Sequence, residues 1–137
     1  MASVRDIRDR LSTFLSSLNL QFESVGDTIW LIRDLEHGLA HVIVFAEENL
    51  VTIRAKMFEL PEERDGKLLE DLLRMNAEMV HGAYAVEEET VIWVDTLEFD
   101  TLDIEEFQAS LDAARQSVAR NSGRLARYVS GGNDGSL

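Results

Sequence analysis

The stretch from Leu68 to Leu111, LLEDLLRMNAEMVHGAYAVEEETVIWVDTLEFDTLDIEEFQASL, passes from a helical pattern to a strand pattern and back. Leucines and methionines at helical spacing predict a helix that ends near Met79, short of Gly82. Two runs rich in β-branched and aromatic residues follow, joined by an acidic turn. Asp103, with Glu106 three residues later, has the pattern of a capping box. The stretch therefore predicts a helix, a hairpin and a helix.

The N-terminal part of the chain adds one helix and four strands. Ser3 and Asp6 have the same capping-box pattern, and apolar residues recur at helical spacing to Leu18, so a first helix is predicted over about 3–18. The runs LQFESV, TIWLIRD, LAHVIVFAE and LVTIRAKMF follow, separated by short polar turns. Strands joined by such short turns are antiparallel. The fold class is α+β, in the order helix, four strands, helix, two strands, helix, with an antiparallel sheet packed against the helices.

Three of the predicted strands are apolar on both faces. TIWLI (28–32), HVIVFA (41–46) and VIWV (91–94) show this pattern, whereas LVTIRAKM alternates apolar and polar residues. Because three helices cover one face of a sheet well but not both, we expect a homodimer or another protein on the second face. The candidate interface residues are two tryptophan anchors, two adaptable methionines and their apolar neighbours: Trp30, Ile32, Met75, Met79, Ile92, Trp93 and Val94.

The charge of the chain indicates the kind of partner. The formal net charge is −13, and residues 59–112 carry 17 Asp and Glu against 3 Lys and Arg. Such a field repels phosphate backbones and favours a basic protein partner. The alternative is a nucleic-acid-linked role, as a stress or DNA-metabolism accessory protein. It would act directly through Arg120, Arg124 and Arg127, or by binding a DNA-handling protein.

The sequence contains no recognised catalytic or cofactor motif. With no cysteine, it has no thiolate nucleophile, disulfide or Cys-ligated zinc. His37, His41 and His81 fall in no metal-ligand pattern, and no GxSxG, GxGxxG or Walker loop is present. The run from Asp95 to Glu106 lacks the ligand spacing and the glycine of a calcium loop. We expect a non-enzymatic protein without metal or cofactor; an enzyme with an unrecognised site is the remaining alternative.

The opening stretch resembles the YbjN family of bacterial proteins, whose fold is similar to that of the type III secretion chaperones. The resemblance is carried by the leucine-rich helix with Asn76 near its end, by Gly82 and Tyr84 at the start of the hairpin, and by the acidic junction from Leu102 to Phe107. It implies a single domain over residues 1–129 that dimerises and binds other proteins, as a chaperone-like adaptor or regulator. Capture would use the outer sheet face or a strand edge.

The ends of the chain carry two further expectations. The N-terminal MASVRDIRDR is charged and lacks the apolar middle of a signal peptide, and no apolar run approaches the roughly 20 residues that cross a bilayer. We therefore expect a cytoplasmic protein without membrane contact. The Gly-rich residues 130–137, SGGNDGSL, have no apolar pattern, which predicts a flexible tail.

Overall fold

A computed structural model describes residues 2–64, 66–123, 125 and 128 of the chain. The predicted order of elements and the α+β class are confirmed. The helices are α1 (Val4–Ser17), α2 (Lys67–Asn76) and α3 (Ile104–Gly123). The strands are β1 (Gln21–Gly26), β2 (Ile29–Asp34), β3 (Leu39–Glu47), β4 (Leu50–Glu59), β5 (Ala83–Glu87) and β6 (Thr90–Glu98). The predicted tail, residues 130–137, lies outside the described residues.

The six strands form one antiparallel sheet in the order β1-β2-β3-β4-β6-β5. The longest strand, β4, lies near the middle of the sheet and pairs with β3 and β6. The first strand, β1, pairs with β2, and β5 pairs with β6, so these two strands form the edges. Within the described ranges, no helix is long and apolar enough to span a membrane.

All three helices pack against the same face of the sheet. Burial alternates along the strands, so Trp30 on β2 and Trp93 on β6 point into a core shared with α1 and α3. Below α2, a second cluster contains Tyr84 and Val91, which lie on the same side of the sheet as Trp93. In the part of the chain that the structure describes, no helix covers the other side, which we term the open face. This agrees with the one-sided coverage expected from the strand patterns.

Capping patterns in the sequence agree with the observed helix starts, whereas the end of α2 differs from the prediction. The Asp103 Oδ1 atom accepts a hydrogen bond from the Glu106 N–H at 2.8 Å, as the capping-box pattern predicts. In contrast, α2 ends at Asn76, three residues earlier than predicted. The N–H groups of Ala77 and Glu78 bond to carbonyls three residues back, at 3.2 and 3.0 Å, so the chain tightens into a turn there.

Gly82 lets the chain pass from that turn into β5 while its backbone stays in contact with the core. Its φ is +73°, a conformation that side chains rarely adopt. A Cβ atom at this position would lie 2.4 Å from the ring carbons Cε2 and Cζ2 of Trp93. Gly82 therefore combines an unusual backbone conformation with direct contact to the indole, which explains its place between α2 and β5.

We expect Gly82→Ala to lower the free energy of unfolding by about 2–4 kcal/mol. An alanine with positive φ is strained, and its Cβ atom would displace the Trp93 indole, so both effects destabilise the folded chain. Urea unfolding followed by tryptophan fluorescence measures this. Gly66→Ala is the matched control, since a Cβ atom at Gly66 meets nothing within 4 Å and its φ is −75°. Equal stability of the two variants would contradict this role for Gly82.

Candidate functional site

The structure places four of the seven predicted interface residues in the core. Trp30 and Trp93 have no exposed surface, Met75 has none, and Ile32 is 2% exposed. This part of the prediction is corrected, because these side chains are buried between the sheet and the helices and do not reach a partner docked on the folded chain. When both faces of a strand are apolar, its sequence alone does not tell which face meets the helices.

The other three predicted residues, Ile92, Val94 and Met79, lie away from the centre of the core. Ile92 and Val94 belong to the open face, where Ile92 is nearly covered by its neighbours and Val94 is partly exposed. Met79 is partly buried in the turn after α2. Their role in an interface stays a prediction.

The open face carries apolar side chains on β2, β3 and β6, and the central strand β4 places Thr52, Arg54 and Lys56 between them. On the four central strands its residues are Ile29, Leu31, Arg33, His41, Ile43, Phe45, Glu47, Leu50, Thr52, Arg54, Lys56, Ile92, Val94, Thr96 and Glu98. Ile29 is 41% exposed and Leu31 is 36% exposed. Contiguous apolar exposure of this kind on a sheet is typical of protein contact surfaces.

The two edges of the sheet differ in a way that matters for binding. On β5, the Asn76 side chain bonds both backbone groups of Tyr84: its Oδ1 atom accepts from the N–H at 2.7 Å, and its Nδ2 atom donates to the carbonyl at 3.1 Å. Asn76 thus occupies positions that an added strand would use. On β1, whose strand neighbour is β2, the one side-chain hydrogen bond to the backbone among the described residues is local: the Ser24 hydroxyl donates to the Gly26 carbonyl at 3.0 Å.

Beside the β5 edge lies an apolar groove against α2. It is a cavity of about 200 Å³ lined by Leu69, Leu72, Leu73, Asn76, Tyr84, Ala85 and Val86. Leu73, with 70% of its surface exposed, and Leu69, with 39%, make this side of the groove apolar. The groove can receive side chains, although the edge next to it is partly closed by Asn76.

A cavity of about 400 Å³ lies between the turn after α2 and α3. Its lining includes Met79, His81 and Arg120, together with the carboxylates of Glu78 and Asp112. These two carboxylates share the cavity with Arg120, which is the only one of the three arginines predicted to contact nucleic acid that lies within the described residues. Arg124 and Arg127 lie outside them. A contact with nucleic acid therefore gains no support from the surroundings of Arg120.

A part-buried ion pair connects the sheet to α3. The Nε atom of Arg115 donates to Oδ2 of Asp34 at 2.6 Å, and its Nη1 atom donates to Asp112 at 2.8 Å. His37 contacts the other oxygen of Asp34 at 2.9 Å. Burial raises the pKa of Asp34, but the hydrogen bonds with His37 and Arg115 outweigh it, so the pKa lies below its usual value.

We expect Asp34→Asn to lower the free energy of unfolding by about 1–3 kcal/mol at neutral pH, since it removes a charged hydrogen-bond partner. Because the pKa of Asp34 is lower in the folded chain than in the unfolded chain, its ionised form stabilises the fold at pH values above the unfolded pKa of about 3.9. This stabilisation is lost as the pH falls through the pKa of the folded chain. Urea unfolding at pH 7 and at pH 3 measures the difference. The difference in unfolding free energy between the native chain and Asp34→Asn should be smaller at pH 3 than at pH 7. An equal difference at both pH values would contradict the stabilising role of the Asp34 carboxylate.

Asp112→Asn is the matched control, because Asp112 binds the same arginine but its side chain is 46% exposed. Exposed pairs contribute about 0–1 kcal/mol, so this variant should differ little from the native chain.

The histidines and carboxylates of the described residues form no cluster of metal ligands. No group of three or more His, Asp or Glu side chains there could hold a metal ion. His37 contacts Asp34, His41 lies on the open face, and His81 lines the large cavity. These three histidines lie in separate parts of the molecule, and the surfaces described above offer apolar contact and backbone pairing.

Comparison with known proteins agrees with this description. A protein-family model, CesT_Tir_1, matches residues 4–131. The chain belongs to this type III chaperone family. Membership in the family supports a protein-binding, chaperone-like role. A search of curated proteins found no match.

Solved structures with the same fold include both chaperone complexes and a regulator. YbjN from E. coli, described as a putative transcription regulator, has a TM-score of 0.68 and 13% identity over 90% of this chain and 94% of that chain. A chain of the heterodimeric ExoU–SpcU complex, from the type III secretion system of Pseudomonas aeruginosa, has a TM-score of 0.64 and 13% identity over 79% and 91%. A chain of the HopA1–SchA chaperone–effector complex has a TM-score of 0.65 and 9% identity over 87% of this chain and 96% of that chain. The predicted resemblance is confirmed.

Sequence reasoning missed two features of the site. Asn76 ends α2, as its position in the sequence indicates, but the sequence does not show that its side chain bonds the Tyr84 backbone across the turn. The asymmetry between the two sheet edges follows from that contact. The position of Asn76 between a leucine-rich helix and a strand indicates a polar contact at this junction. The partner of its side chain depends on the path of the turn between them, which the sequence does not give.

Proposed function

We propose that this chain is a non-enzymatic adaptor that works as a homodimer and holds an extended segment of a basic client protein. Membership in a chaperone family supports a binding role, and two structures with the same fold belong to complexes between different proteins. Such a role needs exposed apolar surface and a place for a partner backbone, and the chain offers both.

The observation that carries the proposal is the difference between the two edges. Asn76 bonds the Tyr84 backbone on β5, whereas β1 presents its outer backbone groups. An extended client segment adds to an edge by backbone hydrogen bonds, and its side chains supply specificity. We assign the client to the β1 edge.

Charge and local geometry favour a basic client at this edge. Glu23 and Asp27 lie on β1 and on the turn that follows it, and both are exposed. The net charge of −13 adds a long-range attraction for cationic segments. Val25 is the unpaired residue of a bulge in β1 and is 48% exposed, so it offers an apolar contact.

A photo-crosslinking amino acid at Val25 tests this assignment. Val86 is the matched control, because it lies on the other edge strand and is also 48% exposed. In native cell extract, we expect a client to crosslink from position 25 and not from position 86. After its identification by mass, a synthetic peptide of the crosslinked segment should slow amide exchange in β1.

Other outcomes discriminate between surfaces. Crosslinks from position 86 alone would place the client in the groove beside α2 and contradict the β1 assignment. Absence of crosslinks from both positions in cells that contain the client would contradict protein capture at the sheet edges. In an Asn76→Ala background, the β5 edge loses its cover, so position 86 should gain crosslinks.

A further inference from the structure

We propose that one end of the open face, at Arg33, His41 and Lys56, binds an acidic segment of a partner protein. We term these three residues the basic row. Carboxylates of the segment would bind the basic row, and its apolar side chains would pack on the strands beside it. This contact is separate from the client at the β1 edge and does not depend on it.

The charge balance of the open face differs from that of the whole chain. Its four central strands carry three lysine and arginine residues and two glutamates: Arg33, Arg54, Lys56, Glu47 and Glu98. The whole chain has 13 Lys and Arg against 26 Asp and Glu. A local excess of cations attracts anions at short range, because salt screens the more distant acidic residues.

The register of the sheet places the basic row across three neighbouring strands. Ile32 pairs with Val42, Val42 pairs with Ala55, and all three side chains are buried. The basic row lies one residue further along each of these strands, where the side chains point to the open face. Because neighbouring strands are about 4.8 Å apart, the Cα atoms of the basic row lie within roughly 10 Å of one another.

Two β-bulges flank the basic row. One adds a residue to β3 next to His41, and the other adds Met57 to β4 next to Lys56. Leu39 and Val42 are both buried, so the two residues between them, which include His41, point away from the core. Bulges redirect side chains and are over-represented beside functional sites. The sheet itself therefore presents the basic row outward.

The cations of the basic row are available to a partner. Within the described residues, the side chains of Arg33 and His41 form no ion pair or hydrogen bond. Lys56 pairs with Glu59 at 2.9 Å, but these side chains are 44% and 58% exposed. Exposed pairs contribute little to stability, so Lys56 can exchange this carboxylate for that of a partner.

Apolar side chains adjoin the basic row. A recess of about 290 Å³ on the open face has a mixed lining of Ile43, Ala55, Ile92, His41, Arg54, Lys56, Glu87 and Thr90. Leu31, which is 36% exposed, pairs with Ile43 in the next cross-strand row. Arg54 is already held by Glu87. The ligand that fits therefore carries anionic groups close to apolar groups, as a protein segment does when it mixes Asp or Glu with Leu or Ile.

A protein segment fits this surface better than a nucleic acid does. A phosphate backbone carries a charge at every nucleotide and would extend past the basic row towards Glu47, Glu98 and Glu87. The net charge of −13 repels such a long polyanion. Two or three carboxylates match the short basic row, and the apolar neighbours of these carboxylates match Leu31 and Ile43.

Nuclear magnetic resonance titration of the full chain with three short synthetic peptides tests this surface. The peptides contain Leu and Ser together with Glu, Gln or Lys, and are otherwise identical. We expect the Glu peptide to shift amide resonances of β2, β3 and β4 at the basic row, and to bind roughly fivefold more tightly than the Gln peptide. The double variant Arg33→Gln, Lys56→Gln should bind the Glu peptide roughly fivefold more weakly than the native chain does. Circular dichroism verifies that each variant is folded.

Arg74→Gln is the matched control, because Arg74 is an exposed cation on α2, on the other side of the sheet. It should leave the affinity for the Glu peptide unchanged. Equal affinities for the Glu and Gln peptides, or an equal loss in Arg74→Gln, would overturn the assignment. Shifts confined to β1 would place the peptide at that edge and overturn the open-face contact. Tighter binding of a short DNA duplex or of inorganic phosphate at the same resonances would overturn the protein segment as the ligand.

Discussion

A six-stranded sheet has two broad faces, and the three helices of this chain lie on one of them. This constraint governs the rest of the molecule. Both tryptophans lie on the covered face, where they anchor the core, and Gly82 lies directly against one of them. The apolar residues of the open face are then available for contact with another chain, because no segment of the described structure covers them.

The edges of the sheet carry the second part of the account. An exposed edge strand attracts other strands, and proteins commonly protect it. Here the protection is one-sided, since Asn76 bonds the Tyr84 backbone at β5 and β1 has its only strand neighbour in β2 among the described residues. The open face and the β1 edge are therefore separate surfaces, and the proposed client segment uses the β1 edge.

Much of this fold could be predicted from the sequence because its signals are local. Capping boxes at Ser3 and Asp103 and the strand periodicity need no knowledge of the tertiary structure. The interface residues could not be predicted equally well. Trp30 and Trp93 lie on strands that are apolar on both faces, and the register of the whole sheet decides which side meets the helices. The partner of Asn76 likewise depends on a turn that only the folded chain defines.

The central claim, that an extended client segment adds to the β1 edge, is tested most directly by amide hydrogen exchange of the full chain with and without the peptide of the crosslinked client. The account predicts slower exchange of the outward-facing amides of β1, Gln21–Gly26, with the amides of β5, Ala83–Glu87, unchanged as the internal control. Slower exchange in β5 with none in β1 would contradict it.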